Sequence, residues 1–362
     1  MLTPDRDSGS YRMSQMLKIF QSLGYKVTFA PVNLDLFDQY GRDLQKSGVE
    51  VLYTPYVISL SDWIKDNGSH FSIVLLSRAD VADMFMDHVF QCCPEAQVIF
   101  DTVDLHYLRE ERQAKIEGSR LLEASARSRK KQEIALMEQA DSVLVVSPVE
   151  QAAIIAEYPY LPIDVVSNIH EIYGQSSSYD NRCDILFIGS FNHPPNVDGI
   201  RYFVREVFPL VRAEMPEVNL VVVGSNLGDK LDDCDLDGVT LRGYVPDLTE
   251  CFSGARLSIA PLRYGAGVKG KVNMSMCYGL PVVGTPVAAE GMWLEDGRDI
   301  LIAESSEEYA QKIVQVYTDR EIWCRLSEGG YRNIHAHFSI EAASSAIQRV
   351  IRSAPETHQS MA

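Results

Sequence analysis

Short apolar runs rich in β-branched residues alternate with amphipathic stretches along most of the 362-residue chain. Such runs are typical of buried parallel strands, and the stretches between them are long enough for crossover helices. The pattern therefore predicts an α/β fold with parallel, doubly wound sheets. The predicted strands of the first half are residues 26–30, 49–53, 73–76, 97–101, 142–146 and 163–166. Those of the second half are residues 184–188, 219–223, 239–242, 257–261, 281–283 and 300–302.

A polar, serine-rich segment, residues 171–182, separates the two halves and lacks apolar periodicity. The chain length also fits two domains of similar size. We therefore predict one Rossmann-like domain over residues 1–172 and a second over residues 173–338. Ligands of doubly wound sheets bind at the carboxyl ends of the strands, so the predicted site is the cleft between the two domains.

The beginning of the chain departs from this pattern. A turn from Asp7 to Ser10, with Gly9 inside it, leads into a helix, yet the six residues before Asp7 do not resemble a strand. An unfilled central position in a sheet would expose backbone polar groups. Two interpretations stay open: the first strand is missing from this sequence, which we favour, or the first domain works with a depleted sheet.

Composition and charge exclude several classes of protein. The 50 acidic side chains outnumber the 33 basic ones, giving a net charge of -17, which argues against general nucleic-acid binding. No apolar run reaches the ~18 residues of a membrane span, and the N-terminus does not resemble a signal peptide. The seven cysteines form no CxxC pair, so neither a zinc site nor a disulfide framework is indicated. We expect a cytoplasmic protein.

A glycine-rich turn between a predicted strand and a predicted helix is the most informative segment. It contains Gly265, Gly267 and Gly270, together with Lys269 and Lys271. Backbone N–H groups and the helix dipole favour anions at such a turn, and the two lysines add positive charge. This combination suits a diphosphate.

The same glycines match G-x-G-x-x-G, so a dinucleotide site is an alternative. This turn follows the fourth strand of its domain instead of the first, and the nearest downstream acid, Glu290, lies beyond the next strand. We therefore favour a sugar-nucleotide site. The acidic triplets from Asp233 to Asp237 resemble D-x-D metal motifs, but we interpret them as a solvated loop and predict no metal site.

Two further turns of the second domain end at the same sheet edge. Gly189 and Ser190 follow its first strand, and Gly291 and Met292 lie where their backbone N–H groups would face a phosphate. In the first domain, Asp104 and His106 follow a strand and would lie at the edge of the cleft. The basic stretch that begins at Arg109 and ends at Lys131 is either a solvated helix face or a docking surface for an anionic membrane or acceptor.

The sequence resembles the retaining family-four nucleotide-sugar glycosyltransferases, the glycosyl transferases group 1, which have the GT-B architecture of two facing Rossmann-like domains. The similarity is strongest from Asp184 to Phe338. It is carried by the strand and turn at residues 185–190, the runs at 219–224, 241–245 and 279–283, and the loop at 261–271. The first domain is similar at residues 8–10, 101–106 and 167–168.

The resemblance implies that the second domain holds a nucleoside-diphosphate sugar and the first an acceptor. Lys269 and Lys271 would stabilise the leaving diphosphate, Gly9 would approach the same phosphates, and His106 would contact the donor sugar. It also implies that no metal or other cofactor is required, since metal ions are normally dispensable in this fold. In the usual proposal for retaining enzymes the departing phosphate oxygen accepts the proton of the acceptor hydroxyl, so no side-chain base is required. A final helix, within residues 339–362, would cross back to the first domain before a short tail.

Two departures from the family pattern are visible. Ala266 and Met274 stand where the family commonly has two glutamates, the second of which binds the ribose. Glu290 and Asn273 are the candidates to replace that contact. The basic residue that often follows the first strand of the second domain is also missing, because Ser190 begins the segment found there.

These observations predict a retaining, metal-independent glycosyltransferase with a glycan or lipid-linked acceptor. It would act in polysaccharide or other glycoconjugate assembly, in the cytoplasm or at the inner face of the membrane. Two alternatives remain open: a catalytically silent sugar-nucleotide-binding subunit, and a GT-B sugar-nucleotide epimerase. An epimerase needs acid and base carboxylates in the cleft, and the sequence does not identify them.

Overall fold

The computed structural model describes residues 1–36, 38–174 and 177–352. The chain divides into two compact units: unit 1 is Met1–Ile169 together with Ala343–Ala362, and unit 2 is His170–Ala342. Gln175 and Ser176 of the predicted linker and residues 353–362 of the predicted tail lie outside the described residues.

Unit 1 contains two parallel sheets. One pairs β1 (Thr28–Phe29) with β2 (Glu50–Val51). The other has four strands in the order β3 (Ile73–Ser77), β4 (Gln97–Asp101), β5 (Ser142–Val145) and β6 (Ile163–Val165). β4 is buried along its whole length, as its continuous apolar sequence predicts.

One edge of β3 has no neighbouring strand among the described residues. The Gln97 N–H donates to the Ser72 carbonyl (3.0 Å) and the Arg78 N–H to the Asp101 carbonyl (2.8 Å). Backbone groups alternate in direction along a strand, so those of Ile73 and Leu75 point away from β4. The second edge of β3 therefore has no strand partner within the described ranges.

Several helices of unit 1 begin at a side-chain cap. The side chain of Asp7 caps the first helix, and Ser147 caps the last one before β6. These helices are α1 (Ser8–Ser22), α2 (Asp38–Lys46), α3 (Leu60–Asn67) with a 3-10 turn (Gly68–His70), α4 (Ala79–Cys92), α5 (His106–Glu117), α6 (Arg120–Gln139) and α7 (Pro148–Ile155).

Residues 116–140 have the pattern of a helix, and α6 confirms this prediction from Arg120 to Gln139. Gly118 ends α5 with a left-handed φ of 64°, and the Ser119 hydroxyl accepts from the Leu122 N–H (3.3 Å) to begin α6. A glycine C-cap followed by a serine N-cap favours two helices over a continuous one.

Unit 2 contains one parallel six-stranded sheet. Its strands are β7 (Cys183–Ile188), β8 (Leu220–Val223), β9 (Val239–Gly243), β10 (Ala255–Ala260), β11 (Val282–Gly284) and β12 (Leu301–Ile302). Their order in the sheet is β9-β8-β7-β10-β11-β12. This is the doubly wound order, with the topological switch point between β7 and β10.

Helices cover both faces of this sheet. They are a 3-10 turn (Tyr179–Asn181), α8 (Pro194–Tyr202), a π-helical segment (Phe203–Val207), α9 (Phe208–Glu214), α10 (Thr249–Gly254), α11 (Gly270–Cys277), α12 (Pro286–Ala289), α13 (Ser306–Thr318) and α14 (Arg320–His337). Along β7, Ile185 and Phe187 belong to one apolar cluster and Leu186 to another. Successive side chains of a strand point to opposite faces, so each face of the sheet has its own core.

The last helix, α15 (Ile340–Arg352), carries the chain back into unit 1, as expected. Its Ala346 and Ile347 are buried in the same apolar cluster as Met16 of α1 and Ile99 of β4. The Gln97 side chain also donates to the Val350 carbonyl (3.1 Å). Unit 1 is therefore built from both ends of the chain.

Candidate functional site

The switch point of unit 2 brings two of the predicted turns together. Gly189 and Ser190 follow β7, and the glycine-rich loop at residues 261–269 follows β10, the neighbouring strand. The connections from these strands go to opposite faces of the sheet, which leaves a crevice at their carboxyl ends. This crevice is the candidate site of unit 2.

Lys271 is the cation of this crevice. It is the second residue of α11, and its ammonium donates to Asn196 Oδ1 (2.7 Å) and lies 4.3 Å from the centre of the Phe187 ring. Asn196 is fixed in turn, because its Nδ2 donates to the Ser190 carbonyl (2.8 Å). Lys271, Gly189 and Ser190 are therefore brought together through one asparagine.

The electrostatic environment of Lys271 is unusual for a lysine. Among the described residues, no carboxylate lies within ion-pairing distance of its ammonium. Burial of the charge lowers the pKa of Lys271 to about 7. An uncompensated cation beside the start of a helix makes an anion the complementary ligand, because the helix dipole acts in the same direction.

Gly189 is required by close packing in the crevice. A Cβ at this position would lie 2.8 Å from Asn196 Nδ2 and 3.1 Å from Lys271 Nζ. The neighbouring Gly224 is tighter still, since a Cβ there would meet the Gly189 carbonyl oxygen at 1.8 Å. The missing side chains allow the backbone after β7 to approach the lysine directly.

Lys269 lies at the N-cap of α11 and is buried. Its ammonium donates to the Gly267 carbonyl (2.5 Å) within its own loop. Gly265 and Gly267 both have left-handed backbones, with φ of 155° and 68°, which explains the glycines of this turn. Lys269 therefore belongs to the loop, whereas Lys271 faces the turn after β7.

The third predicted turn follows α12. Gly291 has a left-handed φ of 73° and follows the half-buried Glu290. The Met292 N–H donates to the Ala289 carbonyl (3.2 Å) within this turn, and its contact to a phosphate stays a prediction. Asn333 Nδ2 holds the segment in place by donating to the Met292 carbonyl (3.1 Å).

The two residues that were expected to replace the missing ribose contact differ in position. Asn273 is completely buried, and within the described part of the chain neither polar atom of its side chain has a hydrogen-bond partner. Glu290, by contrast, is half-buried, and both residues stay candidates for the ribose contact.

The candidate site of unit 1 follows β4. His106 begins α5, and its Nε2 lies 3.0 Å from Asp104 Oδ1, while the Arg109 guanidinium pairs with Asp104 Oδ2. Burial alone would raise the pKa of Asp104, but the His106 hydrogen bond and the charges of Arg109 and Arg78 lower it below its usual value. Asp104 is therefore held as a carboxylate beside the imidazole.

Gly9 and Ser10 lie in the first turn of α1. The Ser10 N–H donates to Asp7 Oδ1 (2.8 Å) and its hydroxyl to Asp7 Oδ2 (2.7 Å), so these donors are occupied by a carboxylate of the same chain. A Cβ on Gly9 would lie 2.9 Å from Arg78 Nη2. The start of α1 thus carries a negative charge that the sequence analysis did not include.

A buried ion pair lies next to this turn. Arg12 of α1 makes two hydrogen bonds to the Asp101 carboxylate, of 2.9 and 2.8 Å, and donates to the carbonyls of Val166 (2.8 Å) and Ser167 (3.1 Å). Both side chains are almost completely buried. The pair ties α1 to the carboxyl ends of β4 and β6.

The charged surface segments form ion pairs with their surroundings. Asp233 pairs with the guanidinium groups of Arg201 and Arg205, and Asp237 lies 2.8 Å from Arg212 Nη2. In the basic stretch, Arg109, Lys115, Arg129 and Lys130 pair with acidic residues of unit 1. Leu121 in the same stretch is exposed, and no helix in the described ranges is long and apolar enough to cross a membrane.

The sequence analysis missed Asn196 and Arg12 as members of these sites. Asn196 belongs to the turn after β7, but its partner Lys271 is 75 positions away. Arg12 lies one turn after Gly9 and meets Asp101 across 89 positions. Neither pairing leaves a local signal in the sequence.

Comparisons with known proteins agree with this architecture. Residues 182–319, all in unit 2, match the family model described as glycosyl transferases group 1. An uncharacterized 44.6 kDa protein in the cps region of Klebsiella pneumoniae is 27% identical over 143 residues. That alignment covers 37% of this chain, and it spans 37% of the length of the curated relative.

Solved structures resemble nearly the whole chain. Sucrose-phosphate synthase from Thermosynechococcus elongatus has a TM-score of 0.71 at 15% identity, covering 95% of this chain and 92% of its own. Anabaena Alr3699/HepE in complex with UDP and glucose has a TM-score of 0.69 at 12% identity, covering 94% and 96%. TarM of S. aureus has a TM-score of 0.66 at 16% identity, covering 81% of this chain and 58% of its own. Unit 2 thus contains the segment described as glycosyl transferases group 1, and the chain has the GT-B fold of glycosyltransferases.

Proposed function

We propose that this protein is a retaining glycosyltransferase that transfers a sugar from a nucleoside-diphosphate sugar to a glycan or lipid-linked acceptor. The observation that carries the proposal is Lys271, a cation without a countercharge at the switch point of unit 2. A diphosphate supplies the missing negative charge. Uridine nucleotides are the first donors to test, because HepE and TarM were solved with UDP.

In the proposed reaction the bond between the anomeric carbon and the donor phosphate breaks. A bond to the acceptor hydroxyl forms on the same face of the sugar, and the hydroxyl proton passes to the departing phosphate oxygen. Negative charge grows on the diphosphate in the transition state. Lys271 and the start of α11 are positioned to stabilise this charge, which is the largest contribution of many active sites.

We propose that the reaction is independent of metal ions. The positive charge that a divalent cation brings to a diphosphate is supplied here by Lys271 and by the dipole of α11. Lys269, Gly265, Gly267, Gly189, Ser190, Glu290 and Gly291 complete the proposed donor site of unit 2. Gly9 and His106 of unit 1 are proposed to meet the donor phosphates and the donor sugar.

Two observations indicate which process the reaction serves and where it takes place. The Klebsiella pneumoniae relative lies in a cps region, which favours polysaccharide assembly. In the basic stretch of α5 and α6, Arg120 and Arg127 are exposed, and so is Leu121. Exposed basic and apolar side chains in one segment favour peripheral contact with an anionic membrane.

Ligand binding and turnover test the proposal. We expect UDP or another nucleoside diphosphate to raise the unfolding temperature of the purified protein in the presence of EDTA, because a ligand of the native state stabilises it by mass action. NAD serves as the control for the dinucleotide alternative. Radiolabelled UDP-glucose is then used to measure donor hydrolysis and transfer.

The outcomes separate the alternatives. Release of sugar with retained configuration supports the transferase, whereas nucleotide binding without any turnover supports the silent subunit. Interconversion of donor epimers identifies the epimerase. A thermal shift with NAD alone contradicts the proposed donor site.

A further inference from the structure

The turn between β4 and α5 in unit 1 is strained and well anchored. Val103 has a left-handed φ of 65°, which is a genuine outlier for a β-branched residue. On one side, the Thr102 hydroxyl donates to the Leu144 carbonyl (2.9 Å), and on the other, Leu105 is fully buried. Strain of this kind persists only where the surrounding structure fixes it, and it is concentrated at functional sites.

The strained turn places two side chains with complementary chemistry next to each other. His106 Nε2 and Asp104 Oδ1 are 3.0 Å apart, and both side chains are largely buried. The second oxygen of Asp104 is held by Arg109. A carboxylate fixed in this way accepts the Nε2 proton of a neutral imidazole and leaves Nδ1 as a hydrogen-bond acceptor.

A second carboxyl group lies in the same environment, and its contacts differ. Glu133 of α6 is buried, and in the described part of the molecule its carboxyl group makes no hydrogen bond to His106. Burial raises the pKa of Glu133 to about 7, and the charges of His106 and Asp104 act on it. Glu133 interacts with the imidazole only electrostatically, whereas Asp104 is within hydrogen-bonding distance of it.

We propose that Asp104 is the positioning residue of His106: it fixes the Nε2–H tautomer and ring orientation and leaves Nδ1 to accept a hydroxyl proton of the donor sugar in a hydrogen bond. This inference rests on the proposed function, in which His106 meets the donor sugar. Arg109 takes part by holding the second oxygen of Asp104. Asp104 itself does not touch the substrate.

The test combines a tautomer measurement with kinetics on the full-length protein. ¹⁵N-labelled histidine reports the protonated ring nitrogen by NMR, and His106→Gln assigns the signal. We expect the Nε2–H form in the unaltered protein above pH 8 and a shift toward the Nδ1–H form in Asp104→Asn, because the asparagine amide can donate to Nε2. Donor turnover in this variant should fall roughly 10- to 100-fold, with the UDP dissociation constant changed less than about twofold.

Glu133→Gln is the matched control, because it makes the same chemical change in a nearby carboxyl that does not bind His106. It should leave the tautomer unchanged. Asp104→Glu keeps the carboxylate and should restore part of the turnover. If Asp104→Asn does not fold, Arg109→Gln tests the same geometry, since it removes only the second partner of Asp104 and should shift the tautomer in the same direction.

Three results would overturn the inference. They are an unchanged His106 tautomer in Asp104→Asn, an equal tautomer shift in Glu133→Gln, and a shifted tautomer with normal turnover. Failure of the proposed function is distinguishable, because the unaltered protein would then neither bind UDP nor turn over a donor while the NMR response persisted. That result would leave the pairing of Asp104 with His106 established but without a role in transfer.

Discussion

Each unit places a cationic side chain at the carboxyl ends of its strands, and the two cations have opposite surroundings. In unit 1, Arg12 is saturated by Asp101 and by two backbone carbonyls. In unit 2, Lys271 has a neutral amide from Asn196 and an aromatic ring as its partners. A cation whose charge is neutralised by a carboxylate of the same chain holds elements of the fold together. A cation without a countercharge is available to an anionic ligand. The comparison indicates a structural role for Arg12 and favours the proposed binding role of Lys271.

The sheets differ in a related way. Unit 2 has a central strand, β7, whose turn at Gly189 leads into the crevice. In unit 1 the turn at Gly9 has no preceding strand in the described chain, and β1 and β3 lie in separate sheets. The Arg12 pair ties α1 to the ends of β4 and β6.

The largest expected effect separates the two cations by stability. Arg12→Met leaves the Asp101 carboxylate buried and unpaired, and we expect a loss of about 3 to 5 kcal/mol in the free energy of unfolding. Lys271→Met removes an uncompensated charge and should not lower that free energy. Urea unfolding followed by circular dichroism measures both.

A control, Arg129→Met, breaks an exposed pair with Asp80 and should lower the free energy of unfolding by no more than about 1 kcal/mol. Equal losses in Arg12→Met and Lys271→Met would contradict the assigned roles.

The next effect is a dependence of ligand binding on pH. Because the pKa of Lys271 is lowered to about 7 in the free protein, its ammonium loses its proton as the pH rises through this value. An anion binds the protonated form, so the dissociation constant of UDP-glucose should rise about tenfold between pH 6 and pH 8. UDP-glucose is suitable because its diphosphate does not titrate in this range. Calorimetry at several pH values measures the slope, and Lys271→Met should bind weakly with a flat profile. A pH-independent affinity in the unaltered protein would remove Lys271 from the donor site.

The smallest effect concerns the two glycine turns. Gly189→Ala brings a methyl group against Asn196 and Lys271, and we expect UDP binding to weaken by about 1 kcal/mol. Gly9→Ala meets the end of the flexible Arg78 side chain first, so the protein should lose less than about 0.5 kcal/mol of UDP affinity. Parallel titrations of the two variants provide the comparison. A larger loss in Gly9→Ala than in Gly189→Ala would reverse the ranking of the two turns.

Much of the fold can be predicted from the sequence, because the parallel strands are buried on both faces. β4 is buried along its whole length, and its predicted position, residues 97–101, is confirmed. The observed β10 (Ala255–Ala260) overlaps its predicted range, residues 257–261, and five of its six residues are buried. The helix predicted over residues 116–140 is confirmed by α6, whereas α5 lies almost wholly outside that range.

The candidate sites were only partly predictable. Glycine turns and lysines after strands are local features, and they identified Gly189 and Lys271 correctly as neighbours of one sheet edge. The partners that decide their roles are distant in the sequence: Asn196 for Lys271, and Asp101 for Arg12. From the sequence alone, a cation that has a countercharge in the fold cannot be distinguished from one that has none. Tertiary contacts supply that distinction.

The position of α15 has a consequence for synthesis of the protein. Unit 2 is a continuous stretch of chain, whereas the core of unit 1 includes Ile347 and Val350 from the last helix. During translation, the ribosome releases all of unit 2 before it releases these residues. Unit 2 can therefore reach its native packing first, while the earlier-made unit 1 still exposes the apolar surface that α15 will cover. A nascent chain stalled shortly before residue 340 would expose this apolar surface of unit 1 to chaperones, although most of the chain has already been synthesised.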